Sequence, residues 1–425
     1  MKTIAVIGAG IGGMSIAFEL RQKFNKKDYQ VVVIGEGSEF QFVPSNPWIA
    51  LGERTRDQVV MDAGKYLEKR NIQFSPAGVT HIDAEAKLLT LGDDSKIEYE
   101  YLVICSGPRL AFEAVPGSGP EGGYTQSICT ADHAVKAHEA YEELLKKPGP
   151  VVVGAMQGAS CFGPAYEYVL SLEGALRKKK MRDQVPITFV TSEPYVGHMG
   201  LGGVGDSKHL MEHEFRERGI KWICNAKIKE FEQGKAHVEE VDRKGETEFT
   251  HELDFNMAMF LPPFRGSEAI AAVPELCNPK GFVITDQFQR SPKYHNIFAA
   301  GVCVAIAPLE NTPVPTGAPK TGFMIESMTT AIVENIMQME SGKEPDVHPT
   351  LNAICLADMG DTGAAFVALP QNPPRNTNWT SMGKWVHLAK IAFEKYFLYK
   401  IKRGTSEPIY EKYVLGAMGI KRTKD

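Results

Sequence analysis

Of the seven cysteines in the 425-residue chain, Cys161 has the surroundings of a reactive thiol. It follows Gly158-Ala159-Ser160 at the expected start of a helix, where the helix dipole lowers a thiol pKa. Cys129 sits in a loop before Thr130-Ala131-Asp132-His133, and Cys355 lies beyond the Pro349 break, ahead of Leu356-Ala357-Asp358. Cys105, Cys224 and Cys303 lie in apolar, strand-like runs and, with Cys277, read as small buried hydrophobes. Seven cysteines in so long a chain are too few for a disulfide scaffold, and an odd count leaves one thiol unpaired in a monomer. No C-x-x-C or H-E-x-x-H spacing offers a metal site, and no G-x-S-x-G offers a serine nucleophile.

The elements that would position these groups begin at the N-terminus. Thr3–Ile7 reads as a β-branched strand, Met14–Phe24 as a helix and Gln30–Ile34 as a second strand, with Gly8-Ala9-Gly10-Ile11-Gly12-Gly13 at the bend. A G-x-G-x-x-G turn between strand and helix is a dinucleotide-binding fingerprint. Gly8 permits the tight turn, Gly10 lets a pyrophosphate approach, Gly13 lets the helix pack on the strand, and the helix N-terminus faces the phosphates. The acid that would bind the ribose stands at Gly35-Glu36, with Glu36 the candidate. A second strand–turn–helix has its strand at Pro150–Val153 and its turn at Gly154–Gly163, but Met156 replaces its middle glycine. A thioether there is expected to obstruct a pyrophosphate, so this unit reads as a nucleotide domain without a dinucleotide. It also lacks the Lys-Ser/Thr of a P-loop.

Composition is that of a globular protein, with 43% hydrophobic and 23% charged residues, which excludes a disordered or polytopic membrane chain. A formal net charge of −5 gives no reason to expect nucleic acid. No leader precedes the first strand and no 18-residue apolar run occurs, so synthesis in the cytosol and no spanning helix are expected. The charge is uneven: Trp379–Asp425 carries eight Lys and two Arg against three Glu and one Asp, a net of +6, leaving −11 elsewhere. Within it, Lys384–Arg403 reads as a helix ended by Gly404. Lys384, Lys395 and Lys402 fall on one face, and Trp385, Leu388, Ala392, Tyr396 and Tyr399 on another, as in a helix lying in a membrane interface. Phe393 and Phe397 share the face of Lys390, which could set an ammonium and aromatic rings beside a flat ring system. A second amphipathic run, Ile409–Ile420, contains Tyr410 and Tyr413.

Three groups of residues carry a family resemblance. Tyr101–Pro108, ending Cys105-Ser106-Gly107-Pro108, resembles the returning T-G-x-x-P strand of flavoproteins with two nucleotide domains, with Ser106 for Thr. Tyr294–Val302 resembles their G-D strand near the ribityl chain, with Val302 after Gly301 in place of Asp. Phe42-Val43-Pro44-Ser45-Asn46-Pro47-Trp48, Cys129, Gly158–Glu167, Thr316–Gly322 and Cys355 then resemble the sulfide:quinone oxidoreductases, within the disulfide-reductase-like flavoproteins, along nearly the whole chain.

The resemblance implies an α/β protein with two Rossmann-like domains and a C-terminal amphipathic helical membrane-binding region. Residues 1–115 and 285–345 would form a split FAD domain, 116–284 a second domain with Cys129 and Cys161, and 346–425 the region with Cys355 and the quinone and membrane helices. Cys161 and Cys355 are implied as redox partners, Cys129 as functional, His133 and His198 as proton-handling groups on the sulfide side, and Glu167 as an acid–base residue. FAD without a covalent link would be held by residues 8–13, Gly35, Glu36, Pro44, Val79, Ser106, Gly107, Pro108, Gly301, Val302, Lys320, Thr321, Gly322 and Lys390. Quinone would meet Phe393, Tyr410, Gly322 and Lys390. The implied activity oxidises sulfide to polysulfide or sulfur through a cysteine persulfide and reduces a ubiquinone- or menaquinone-type quinone. The implied place is peripheral on a prokaryotic inner membrane, and the reading admits a homo-oligomer. The alternatives on this architecture are a type-II NADH:quinone dehydrogenase, against which Met156 argues, and the flavin subunit of a flavocytochrome sulfide dehydrogenase.

Overall fold

The computed structural model describes residues 1–407 and 420–424. Its first layer is a five-stranded parallel sheet in the order Ile297–Ala299, Tyr101–Ile104, Lys2–Ile7, Tyr29–Ile34, Gln73–Ser75. Ile4, Ala5 and Val6 have no exposed surface, as expected of a parallel strand covered on both faces. The first helix runs Ile11–Lys23, three residues earlier than the sequence suggests, because Gly12 and Gly13 are helical. A Cβ at Gly13 would lie 1.8 Å from the carbonyl oxygen of Gly8, so the turn and the helix can meet only without a side chain there. Gly8 has φ +107°, and a Cβ on it would strike the carbonyl of Cys105 at 2.2 Å. The helix Gly322–Glu340 packs against the first helix.

The second layer is a four-stranded parallel sheet, ordered Ile220–Ile223, Ile187–Thr191, Val151–Ala155, Met257–Leu261. The helices Ala131–Lys146 and Gly163–Lys178 contact it. The C-terminal region holds a sheet as well as the expected amphipathic helix. A three-stranded antiparallel sheet, Ala353–Asp358, Gly363–Leu369 and Thr377–Met382, comes first and carries Cys355 on its first strand. The helix Lys384–Arg403 then packs on that sheet and ends at Gly404, φ +63°, in the left-handed cap position that glycine favours. Residues 420–424 return beside Thr350, whose amide donates to the carbonyl of Arg422 at 3.0 Å.

Candidate functional site

One cavity of about 1110 Å³ joins these layers. At one end lie Gly8, Ala9, Gly10, Ile11 and Gly12 of the first turn. A Cβ on Gly10 would meet no atom within 4 Å, and no side chain caps the helix that Gly10 opens. Open space beside a helix N-terminus with uncapped amides suits a pyrophosphate. Glu36 lines the cavity two residues past the second strand, held by Arg109 through Nη1 at 2.5 Å and Nη2 at 3.0 Å. Pro44, Val79, Ser106, Gly107, Pro108, Gly301, Val302, Lys320, Thr321 and Gly322 line it as well. Gly13 and Gly35 do not. Both serve packing, and a Cβ on Gly35 would press on the Phe74 ring at 3.0 Å.

Cys129, Cys161 and Cys355 all line this cavity as free thiols. They arrive from three elements: the loop before the helix Ala131–Lys146, the turn before the helix Gly163–Lys178, and the strand Ala353–Asp358. Cys129 and Cys355 each feel the charge of Cys161. The expected lowering of the Cys161 thiol by the helix dipole is overturned. Burial pushes it up to about 11, although Lys320 and Lys390 pull it down, while Cys355 and Cys129 are pushed up to about 12, again mainly by burial. Loss of hydration at the thiolate outweighs a partial charge at a helix end. Lys320 is pushed down to about 8 by the same burial. Cys105, read as a small buried hydrophobe, is buried but also borders the cavity.

The cavity also reaches the tail helix at Lys390, Phe393, Tyr396, Phe397 and Lys400. Lys390 does not stand alone. Its Nζ lies 2.5 Å from Oε1 of Glu167 and also bonds Oε2, with the side chains 7% and 6% exposed. Glu167 is therefore a buried carboxylate. Burial raises its pKa, and Lys390 opposes the rise. A second buried pair, Lys400 with Glu326 at 2.5 Å, borders the cavity and escaped the sequence reading, as did the Arg109 clamp on Glu36. Phe42, Phe393 and Phe397 form an aromatic cluster with centroids 5.2–6.0 Å apart, and Gly322 faces Phe393. Tyr410, named from the sequence as a quinone contact, lies outside the described residues.

The structure does not bring the two histidines to the sulfurs. His133 is buried against Phe112, with Nε2 3.4 Å from Glu121, and burial lowers its pKa. His198 is 1% exposed; its Nδ1 accepts from the Gly200 amide at 3.1 Å, so its Nε2–H donates to Glu310 at 2.8 Å. Neither borders the cavity, and both read as locally satisfied or buried side chains.

Met156 also acts differently from the expectation. Its side chain turns into a buried cluster with Val152, Val190 and Phe260, away from the turn. The turn is closed by another segment. The Gly158 amide donates to the Pro315 carbonyl at 2.6 Å, and the Gly317 amide to the Ala159 carbonyl at 2.8 Å. A Cβ on Gly317 would lie 2.6 Å from the Ser160 side chain, so the two strands of chain are in direct contact. The amide that would bind a second pyrophosphate is occupied by protein.

Comparison with known proteins agrees with this architecture. The family model for pyridine nucleotide-disulphide oxidoreductases matches residues 2–332. The sulfide-quinone reductase of Aquifex aeolicus is 43% identical over 97% of this chain and 94% of the relative. The crystal structure of the sulfide:quinone oxidoreductase from that bacterium superposes with a TM-score of 0.95, at 41% identity, over 100% of this chain and 97% of that one. A type II NADH:quinone oxidoreductase of Staphylococcus aureus is more distant, 22% identical over 81% of this chain and 84% of the relative. The chain belongs to the pyridine nucleotide-disulphide oxidoreductase family and, within it, to the family of the sulfide-quinone reductases.

Proposed function

We propose that this chain oxidises sulfide at Cys161 and Cys355 and delivers the electrons through FAD to a quinone. The observation that carries this reading is one continuous cavity from the glycine turn, past three thiols, to the aromatic face of the tail helix. FAD would be held, without a covalent link, by the first turn, Glu36 and residues 106–108, 301–302 and 320–322, and would supply a two-electron acceptor for the thiols and a donor for a quinone. In the oxidised enzyme Cys161 and Cys355 are bridged through sulfur. Sulfide attacks the bridge, one sulfur–sulfur bond breaks, and a persulfide forms on one cysteine while the other leaves as a thiolate. Closing the bridge again over the added sulfur releases two electrons, and further rounds lengthen the chain to polysulfide.

The protein must supply charge for this chemistry, since an unassisted thiolate is costly in so buried a place. Lys320 and Lys390 are the cations that Cys161 feels. Lys390, Phe393 and Gly322 form the proposed quinone end, with Glu167 holding Lys390 in place. Trp385, Leu388 and Tyr399 on the outward face of the tail helix are 48%, 64% and 43% exposed, a proposed contact with one leaflet. Among the described residues no helix is long and apolar enough to cross a membrane. The test is steady-state reduction of a short-chain quinone analogue by purified protein. Turnover with sulfide and none with NADH supports the reading, and turnover with NADH alone overturns it.

A further inference from the structure

A second cavity, of about 660 Å³, lies away from the catalytic one. It opens where three helices end: Ile11–Lys23, Ala63–Glu68 and Lys384–Arg403. Arg21, Lys23, Lys26, Lys69 and Arg70 line it, and no acidic side chain does among the described residues. Helix ends carry a partial negative charge, about −0.5 each, so three of them offset only about −1.5 of five positive charges. Arginines meet two of those three ends, at Phe24 and Arg403. Arg21 donates to the Tyr29 carbonyl at 3.0 Å and to that of Phe24, and Arg70 Nε donates to the Arg403 carbonyl at 3.1 Å. Lys23, Lys26 and Lys69 make no ion pair among the described residues. Burial lowers the pKa of Arg21, with no carboxylate to oppose it.

The rim identifies the ligand's source. Gly404 and Thr405 line the cavity, and they follow directly on the helix whose outward face shows Trp385, Leu388 and Tyr399. Tyr399 stands five residues before Gly404, about 7.5 Å along the axis at ~1.5 Å per residue. A helix lying in an interface holds its polar ends at the depth of the lipid phosphates. We infer that this cavity binds a phosphate group, and that its source is the headgroup of an anionic phospholipid. The inference rests on the proposed membrane contact of the tail helix and adds a recognition site to it.

The experiment uses the full-length flavin-loaded protein and compares three forms: wild type, K23Q/K26Q/K69Q, and a control, K227Q/K244Q/K280Q, with the same net charge. Binding is measured to neutral phosphatidylcholine vesicles and to vesicles with one-fifth phosphatidylglycerol, at low salt. Each basic residue near an anionic surface contributes about five-fold, so the cavity variant should lose on the order of 100-fold on the anionic vesicles. The control should lose far less, and all three should bind neutral vesicles alike. Equal losses in the cavity variant and the control overturn the inference. A thermal shift of wild type, but not of the cavity variant, in millimolar inorganic phosphate, without any vesicle preference, would reassign the site to free phosphate and overturn the lipid source. Loss of binding to both vesicles in W385S/L388S, with none in the cavity variant, would overturn the headgroup site and leave the membrane contact of the tail helix standing. Wild type that binds neither vesicle and shows no phosphate shift overturns both.

Discussion

Breaking the Glu167–Lys390 pair one partner at a time should cost more than removing both. The two side chains are 6% and 7% exposed and bonded through both carboxylate oxygens. Removing one partner of a buried pair leaves an uncompensated charge and costs about 3–5 kcal/mol, whereas replacing both with neutral groups is often close to neutral. At ~2 °C per kcal/mol for a large chain, Glu167→Gln or Lys390→Met should lower the melting midpoint by on the order of 5–10 °C. The double variant should lie within a few degrees of wild type, a coupling that a double-mutant cycle reads directly. Lys390→Met has a further signature. Burial already raises the Glu167 carboxyl above its ordinary 4.5, and loss of Lys390 removes the opposing pull. A carboxyl whose folded pKa is raised loses stability as pH climbs from its unfolded value through its folded one. The Lys390→Met deficit should therefore shrink on acidification from pH 8 toward pH 5. Differential scanning fluorimetry of flavin-loaded protein measures both effects. Strictly additive losses in the double variant, or a deficit that grows in acid, would refute the reasoning.

Four further outcomes follow from the geometry. Cys161→Ser and Cys355→Ser should each keep flavin but lose sulfide-dependent quinone reduction, and the double variant should be scarcely worse than either, because residues that act as a unit are non-additive; multiplying losses in a turnover assay would contradict this. NADH should not bleach the flavin within minutes at micromolar concentration, since the Gly158 amide is already bonded to Pro315; rapid bleaching in an anaerobic cuvette would show the second turn to be open. Lys320→Met should slow alkylation of reduced Cys161 several-fold at pH 7, where the lysine is charged, and rates followed by peptide mass analysis should converge above its pKa of about 8. Replacing Trp385, Leu388 and Tyr399 by serine should release the protein from liposomes in a flotation assay while sulfide still reduces the flavin; retention on liposomes would place the membrane contact elsewhere.

Local signals were legible in the sequence and tertiary ones were not. The first glycine turn, its flanking strands and the end of the tail helix at Gly404 depend on residues within one or two turns of each other. The partner of Glu167 lies 223 residues away, so nothing near it in sequence announces its burial. The Cys161 thiol shows the same divide. A helix start nearby is readable from glycine and proline, but the loss of water that dominates its acidity comes from packing by distant segments. Met156 was legible as an altered turn, yet the closure comes from Pro315 and Gly317 across the fold. His133 lies in the first turn of the helix Ala131–Lys146 and packs on Phe112, and His198 is buried with the half-exposed Glu310 as its hydrogen-bond partner, neither contact being announced by neighbouring sequence. The antiparallel sheet from Ala353 to Met382 was missed because one of its outer strands, Thr377–Met382, is largely polar, without an alternating apolar pattern.

The central claim is that sulfide delivers electrons at the paired thiols of the cavity and that they leave to a quinone at the tail helix. Its most direct test is an anaerobic stopped-flow experiment in two steps on the flavin-loaded protein. Sulfide is mixed first, and the flavin absorbance near 450 nm is followed; a short-chain quinone is mixed second. The account predicts bleaching by sulfide, full recovery on adding quinone, and neither change in Cys161→Ser or Cys355→Ser. Bleaching that persists unchanged in both cysteine variants, or a reduced flavin that quinone does not reoxidise, would contradict it.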